Sequence, residues 1–297
     1  MAATLFAVVL ALLLGHGLPS LTHLRNFAWL RAWGDWLRAR QESLGWLTPG
    51  WLLLPLVGVP VALVMLLQFG LADGWLLGLF GFAFAVIVLF YCWGPRDLDV
   101  DVERIASAEN QAQRLEAART LWPDTGEPSL QGPILVEAVF RGALRRWFGV
   151  LLWFLLLGPA GALLYRLTAL VAEDAIADGL PTGSRAAAGD LLRILDWPAA
   201  QLMTLGLALA ANFDSVLSAW RDWHADGLAL DVGFLGAAAR ACVASELAEA
   251  AEDEDAPLPE ASVPALLELR DAMSLAWRIL LLWLAVLALF VLAGWTN

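Results

Sequence analysis

The stretch WLLLPLVGVPVALVMLLQFGLADGWLLGLFGFAFAVIVLFYCW, residues 51–93, decides the fold class. It holds two apolar runs, Trp51 to Leu71 and Trp75 to Tyr91, separated only by Ala72, Asp73 and Gly74. Each runs for about 17 to 21 residues without a charge, the helix length that a hydrocarbon core of roughly 30 Å requires. The three-residue connection predicts a tight helical hairpin across a membrane. Pro55 and Pro60 predict a kinked or packed first helix, since neighbouring helices can satisfy the carbonyls that proline frees. A third apolar run, Ile279 to Trp295, predicts a C-terminal span. Trp51, Trp75, Trp93, Trp277 and Trp295 stand at the ends of these runs, where amphipathic rings favour the headgroup level.

The rest of the composition agrees. The chain is 60% hydrophobic and 16% charged, with a mean hydropathy of +0.68. A soluble domain is nearer half apolar and a quarter charged. All eighteen basic residues are arginine, which reads as the base composition of a GC-rich genome. The net charge of −12 argues against nucleic acid, which would call for a basic face, and against a polybasic lipid patch. Cys92 and Cys242 lie too far apart in sequence to suggest a disulfide framework or metal spacing. Leu5 to Leu14 has neither the positive flank nor the cleavage site of a signal peptide, and is expected to be a short, retained first helix.

Two further apolar blocks are ambiguous. Trp147 to Val171 is long enough to span, yet it contains Gly158-Pro159-Ala160-Gly161 and Arg166. It could be one kinked span, the favoured form, or a re-entrant pair of half-helices that returns Arg166 to its side of entry. Pro198 to Ala211 is too short for an independent span and fits an interfacial, re-entrant or packed helix. The expected architecture is therefore all-α and polytopic, with about four or five membrane helices and a helical soluble layer. Its parts are a transmembrane hairpin (51–93), a cytoplasmic helical loop (96–146), a membrane segment (147–171), a helical loop region (172–276) and a C-terminal span (277–295).

Arginine placement sets the orientation. Arg25, Arg31, Arg38 and Arg40 precede the hairpin; Arg96, Arg104, Arg114, Arg119, Arg141, Arg145 and Arg146 follow it. A hairpin returns the chain to the side it left, and the positive-inside rule makes that side cytoplasmic. Arg96 to Trp122 reads as one amphipathic helix, with Leu98, Val102, Ile105, Ala112, Leu115 and Ala118 on one stripe. Asp214 to Gly227 and Val232 to Ala251 read as two more helices. The acidic run Glu246 to Glu260 is expected to stay solvated and disordered. No strand alternation and no internal repeat is present.

Walker A, Gly-x-Gly-x-x-Gly, His-Glu-x-x-His and Cys-x-x-Cys patterns are missing, and His16, His23 and His224 are scattered, so no metal ligands are expected. Arg166 is the most informative polar residue. At the centre of a span it would cost about 2.5 to 3.5 kcal/mol, so it either snorkels to the interface or sits in a polar pocket with Tyr165. Asp97 and Asp99 suit a helix N-terminus, with ligand binding as the weaker alternative. Asp196, just before Trp197-Pro198, reads as an N-cap with proline in the first turn.

Three segments carry a resemblance. Gly94-Pro95-Arg96-Asp97-Leu98-Asp99 resembles the segment after the hairpin in the AmpE family, membrane proteins encoded beside the AmpD amidase in bacterial beta-lactamase regulation. Gly158-Pro159-Ala160-Gly161-Ala162-Leu163-Leu164-Tyr165-Arg166-Leu167 and Leu195-Asp196-Trp197-Pro198-Ala199-Ala200-Gln201-Leu202 resemble its second and third signatures. Order, spacing and chain length agree over essentially the whole sequence. That family is similar to the broader CobD/CbiB group, whose cobalamin-pathway member forms an amide bond with ATP. The group's acidic Glu-Asn-x-x-Asp-Gly-like stretch is replaced here by Phe140-Arg141-Gly142-Ala143-Leu144-Arg145-Arg146, which departs from a metal–ATP site because Mg²⁺ prefers carboxylate oxygens.

The resemblance implies a non-enzymatic regulatory or signalling protein of the bacterial inner membrane, linked to beta-lactamase induction and cell-wall stress. Its expected partners are the lipid bilayer and a protein of cell-wall recycling or signalling. The alternatives are a CobD-like ATP-dependent amide synthase, the one case that calls for ATP and Mg²⁺, and a small-solute transporter. The catalytic residues are unknown. The candidate ligand-binding residues are Arg96, Asp97, Asp99, Arg141, Arg145, Tyr165, Arg166 and Asp196.

Overall fold

The computed structural model describes residues 2–17, 25–41, 50–71, 75–94, 97–122, 128–173, 179–225, 227, 229–252 and 264–293. Among them every regular element is helical and no strand occurs. In chain order the helices are α1 (Ala2–Gly17), α2 (Ala28–Gln41), α3 (Leu53–Gly70), α4 (Trp75–Cys92), α5 (Leu98–Ser107), α6 (Gln111–Ala118) and α7 (Gly132–Ala143). A five-residue π-helical turn, Leu144–Phe148, leads into α8 (Gly149–Leu157). Then come α9 (Pro159–Glu173), α10 (Thr182–Ala210), α11 (Phe213–Trp223), α12 (Gly233–Glu252) and α13 (Pro264–Leu292). They form two compact units. The first holds residues 1–95, 149–195 and 287–297; the second holds 96–148 and 196–286.

In the first unit, α3 and α4 begin and end within two residues of the two apolar runs. The expected tight packing of one on the other is not seen. They meet near their connection, where Gly81 faces the Leu71 carbonyl, and direct contact between them is otherwise sparse. α9 packs against both, and α1 packs on α4. The block from Trp147 to Val171 is a helical hairpin and not the single kinked helix favoured from sequence. α8 and α9 lie side by side, reversing at Gly158, whose φ of +70° is open to glycine at little cost. Glycines let the two helices approach. A Cβ at Gly149 would enter the Tyr165 ring, and one at Gly161 would collide with the Trp153 carbonyl.

In the second unit the expected amphipathic helix over 96–122 is broken. α5 ends at Ser107, and Asn110 starts α6 by accepting a hydrogen bond from the Gln113 amide at 2.8 Å. The local cap overrides the longer periodicity. Leu98, Val102, Ile105 and Ala118 of the stripe are buried, whereas Ala112 and Leu115 are exposed. α11 and α12 pack together and α12 packs on α7, close to the two helices expected there. Glu246 to Glu252 forms the last turns of α12: Glu246 meets Arg278 at 2.9 Å, and Glu249 accepts from Ser245 at 3.3 Å. The rest of the acidic run, 253–260, lies outside the described residues.

Two long helices contribute to both units. α10 has 29 residues, so the segment from Pro198 is its second half and no separate helix. Asp196 is consequently a mid-helix residue and not the expected N-cap. Pro198 deprives the Ile194 carbonyl of its helical donor, and the adjacent Leu195 carbonyl accepts Trp153 Nε1–H at 2.9 Å. α13 also has 29 residues and starts well before the expected span. Trp93 is buried, unlike the exposed Trp51, so it packs inside the protein and does not mark a headgroup boundary.

Candidate functional site

Two groups of buried polar residues stand out, one in each unit. In the first, the C-terminal end of α4 receives two arginines. Arg166 on α9 donates from Nε to the Cys92 carbonyl at 2.7 Å, and Arg25 donates from Nη1 to the Gly94 carbonyl at 3.0 Å. Both are at most 5% exposed, and the Arg25 guanidinium lies 4.4 Å from the Phe90 ring centroid. A helix C-terminus leaves carbonyls without donors and carries partial negative charge, so two cations complete it. Arg166 therefore reaches a helix end and does not extend along the surface to snorkel. Tyr165 is fully buried against Gly149.

The reversal between α8 and α9 is closed by Gln68 of α3. Its Nε2 donates to the Leu157 carbonyl and its Oε1 accepts from the Ala160 amide, each at 3.3 Å. One side-chain amide thus satisfies both a helix C-terminal acceptor and a helix N-terminal donor at the tip. The tip borders an apolar cavity of about 480 Å³, lined chiefly by α3, α4 and α8 with Thr4 of α1.

In the second unit the π-helical turn presents two consecutive arginines to different carboxylates. Arg145 Nη2 lies 2.8 Å from Asp196 Oδ2, while Arg146 Nη1 donates to Asp101 Oδ2 at 2.6 Å. Arg146 also donates from Nη2 to the Thr120 carbonyl at 2.9 Å. Both carboxylates are buried and both arginines nearly so: side-chain exposures are 1% and 0% for the aspartates against 16% and 13% for the arginines. Consecutive residues of a helical turn leave the axis in different directions, which sends Arg145 and Arg146 to different partners. Asp99, in the first turn of α5, accepts Trp277 Nε1–H at 2.7 Å, and Trp277 lies 5.2 Å from Trp147 between ring centroids. Arg240 pairs with Glu137 of α7.

Of the residues singled out from sequence, the structure brings Arg145 and Asp196 into direct contact and places Asp99 in the same unit. Tyr165 and Arg166 belong to the other unit. Asp97 precedes α5 in an extended conformation without capping it through its side chain. Arg141 is exposed, and Arg96 lies outside the described residues. Asp101 and Gln68 escaped the sequence reading, and Arg25 and Arg146 entered it for orientation and not as site residues. The first two left a signal. Asp101 falls on the buried stripe of Leu98, Val102 and Ile105, and Gln68 is the one polar residue in Trp51 to Leu71.

Cys242 is buried in α12, and burial pushes its thiol pKa up. The His224 ring lies beside Trp220 and Phe234, with Nδ1 2.8 Å from the Trp220 carbonyl. Among the described residues, no three His, Cys, Asp or Glu side chains converge as metal ligands. No known family model, curated protein or solved structure matches the chain.

Proposed function

We propose that the chain is a multi-pass protein of the bacterial inner membrane with a regulatory or sensory role of the AmpE type. The observation that carries the membrane part is the exposure of two long apolar helices. Leu53–Gly70 and Ala265–Leu292 are long and apolar enough to cross a bilayer, and only 17% and 22% of their most apolar 18-residue windows are buried. A core helix of a soluble protein would be covered. Here Leu54, Leu63, Leu66 and Phe69 of α3 are exposed, as are Leu281, Leu289, Phe290 and Leu292 of α13. At about 25 cal/mol per Å² of apolar surface, leaving these faces in water would be costly, and lipid removes that cost.

On this reading α1, α3, α4 and α13 span, giving four crossings, and the α8–α9 hairpin is re-entrant. Leu157 and Ala160 at the tip bond Gln68 in the last turn of α3, which takes the tip toward the outer end of that span. Gln68 supplies the hydrogen bonds that lipid cannot give to a broken helix at that depth. α9 then carries Arg166 back to the end of α4, the side assigned to the cytoplasm by the arginine-rich flanks.

The regulatory part rests on the three segments that resemble the AmpE family and on how the cations are held. An ATP-dependent amide synthase would need Arg145 and Arg146 to leave Asp196 and Asp101 before meeting a phosphate. Parting a buried pair costs about 3 to 5 kcal/mol. Held in internal pairs, these two cations are committed to the fold and do not grip a nucleotide. The test is deletion of the gene in its host, with inducible beta-lactamase activity as the readout. Altered induction, restored by the wild-type chain, is expected. Unchanged induction together with ATP-dependent amide formation by the purified protein would overturn the reading.

A further inference from the structure

A surface outside both polar groups remains to be explained, the tryptophan-rich flank of α2. Trp29, Trp33, Trp36 and Arg40 fall on one stripe of this helix, while Leu30, Gly34 and Leu37 form the buried face. Trp29 and Trp36 are 39% and 45% exposed, unusual for so large an apolar ring. Trp33 stacks on Trp36 at 5.0 Å, and the Arg40 guanidinium lies 4.4 Å from the Trp36 ring centroid.

The anchoring contacts of α2 fix its direction. Trp29 Nε1 donates to the Tyr91 hydroxyl, in the last turn of α4, at 2.8 Å. One turn further along, Trp33 Nε1 donates to the Pro55 carbonyl in the first turn of α3 at 3.4 Å, and Gly34 faces Leu56. Within one turn α2 passes from the end of one apolar helix to the beginning of the other. It runs across the ends of α3 and α4 and not alongside them. The helix also carries Arg31, Arg38 and Arg40 against Asp35 alone, a local excess of cations in a chain of net charge −12.

We propose that α2 is an interfacial helix lying flat in the headgroup layer of the cytoplasmic leaflet, with its tryptophan stripe in the upper acyl region and Arg40 at the lipid phosphates. This rests on the membrane reading above and adds to it a surface and its partner, phospholipid headgroups. The Arg40 guanidinium meets phosphate oxygens while the indole bodies displace hydrocarbon; both halves of the stripe need that boundary and neither bulk phase offers it.

The test uses the full chain in vesicles of phosphatidylethanolamine and phosphatidylglycerol. Single cysteines at Trp29 and Trp36 carry nitroxides, with a reference label at Leu66 of α3, and depth is read from collisions with oxygen and a nickel chelate. Residues 29 and 36 lie seven positions apart, so an upright helix would separate their depths by about 10 Å. A flat helix gives both the same depth, within about 10 Å of the phosphate plane and on its acyl side. Should loss of a tryptophan impair folding, Ala32 and Ala39, exposed and also seven apart, take the labels and must likewise report equal depth. Water-exposed labels at 29 and 36, or unequal depths within either pair, with Leu66 deep in lipid, overturn the inference and leave the membrane reading standing. A water-exposed Leu66 overturns both.

Discussion

Substituting Asp101 by asparagine removes the counter-ion of Arg146 without changing the shape of the site. Asp101 is fully buried, its Oδ2 lies 2.6 Å from Arg146 Nη1, and Arg146 is only 13% exposed. The uncompensated guanidinium should cost about 3 to 5 kcal/mol. At about 2 °C per kcal/mol for a chain of this size, the melting temperature should fall by roughly 6 to 10 °C. Arg146→Met should cost less, because Asp101 keeps Arg104 at 3.7 Å. The informative variant is the double substitution Asp101→Leu with Arg146→Met. It removes both charges and fills the volume with apolar groups, and should melt within about 3 °C of the wild type. The assay is thermal unfolding of detergent-solubilised protein for the wild type, Asp101→Leu, Arg146→Met and the double variant, with Asp101→Asn measured beside this cycle. Additive losses in the double variant would refute the reasoning, since they would mean that the two charges act independently.

Gln68→Leu should destabilise the hairpin tip by about 1 to 3 kcal/mol through loss of the hydrogen bonds to Leu157 and Ala160, and limited proteolysis near Gly158 should show it as faster cleavage. Gly158→Ala should cost about 1 to 2 kcal/mol from its φ of +70°, read as a lower melting temperature. Gly149→Val should be more damaging, because its side chain would enter the Tyr165 ring, and Tyr165→Ala in the same chain should restore part of the loss of melting temperature. Cys242, buried and with its thiol pKa raised by that burial, should resist maleimide at pH 7 in the folded protein and react after denaturation; rapid labelling of native protein would contradict its placement.

The two helices of residues 51–93 could be read from sequence because length and hydropathy are properties of a single segment. α11 and α12 were legible for the same reason, their periodicity being local. The reversal at Gly158 was not. Gly-Pro permits a kink or a turn, and the choice depends on the space between α3 and α4 and on Gln68, ninety residues away in the chain. Asp196 misled in a similar way. Asp-Trp-Pro has the form of a helix start, but a helix can run through it when the aspartate faces a distant cation, here Arg145. Arg166 announced that it needed a partner, while the partner, a backbone carbonyl at Cys92, has no sequence signature at all. Side-chain chemistry was thus visible wherever it was anomalous for its segment, and its pairing was not.

The proposed re-entry of the α8–α9 hairpin ties membrane topology to the placement of Arg166, so the side on which α9 ends tests the account most directly. Cysteine at Glu173, the last residue of α9, in a chain lacking Cys92 and Cys242, should be protected from an impermeant thiol reagent in intact cells and labelled in inverted vesicles. Cysteine at Asp73, between α3 and α4, should show the opposite pattern. Labelling of both from the outside would mean that residues 147–171 cross the membrane once, and would contradict the hairpin.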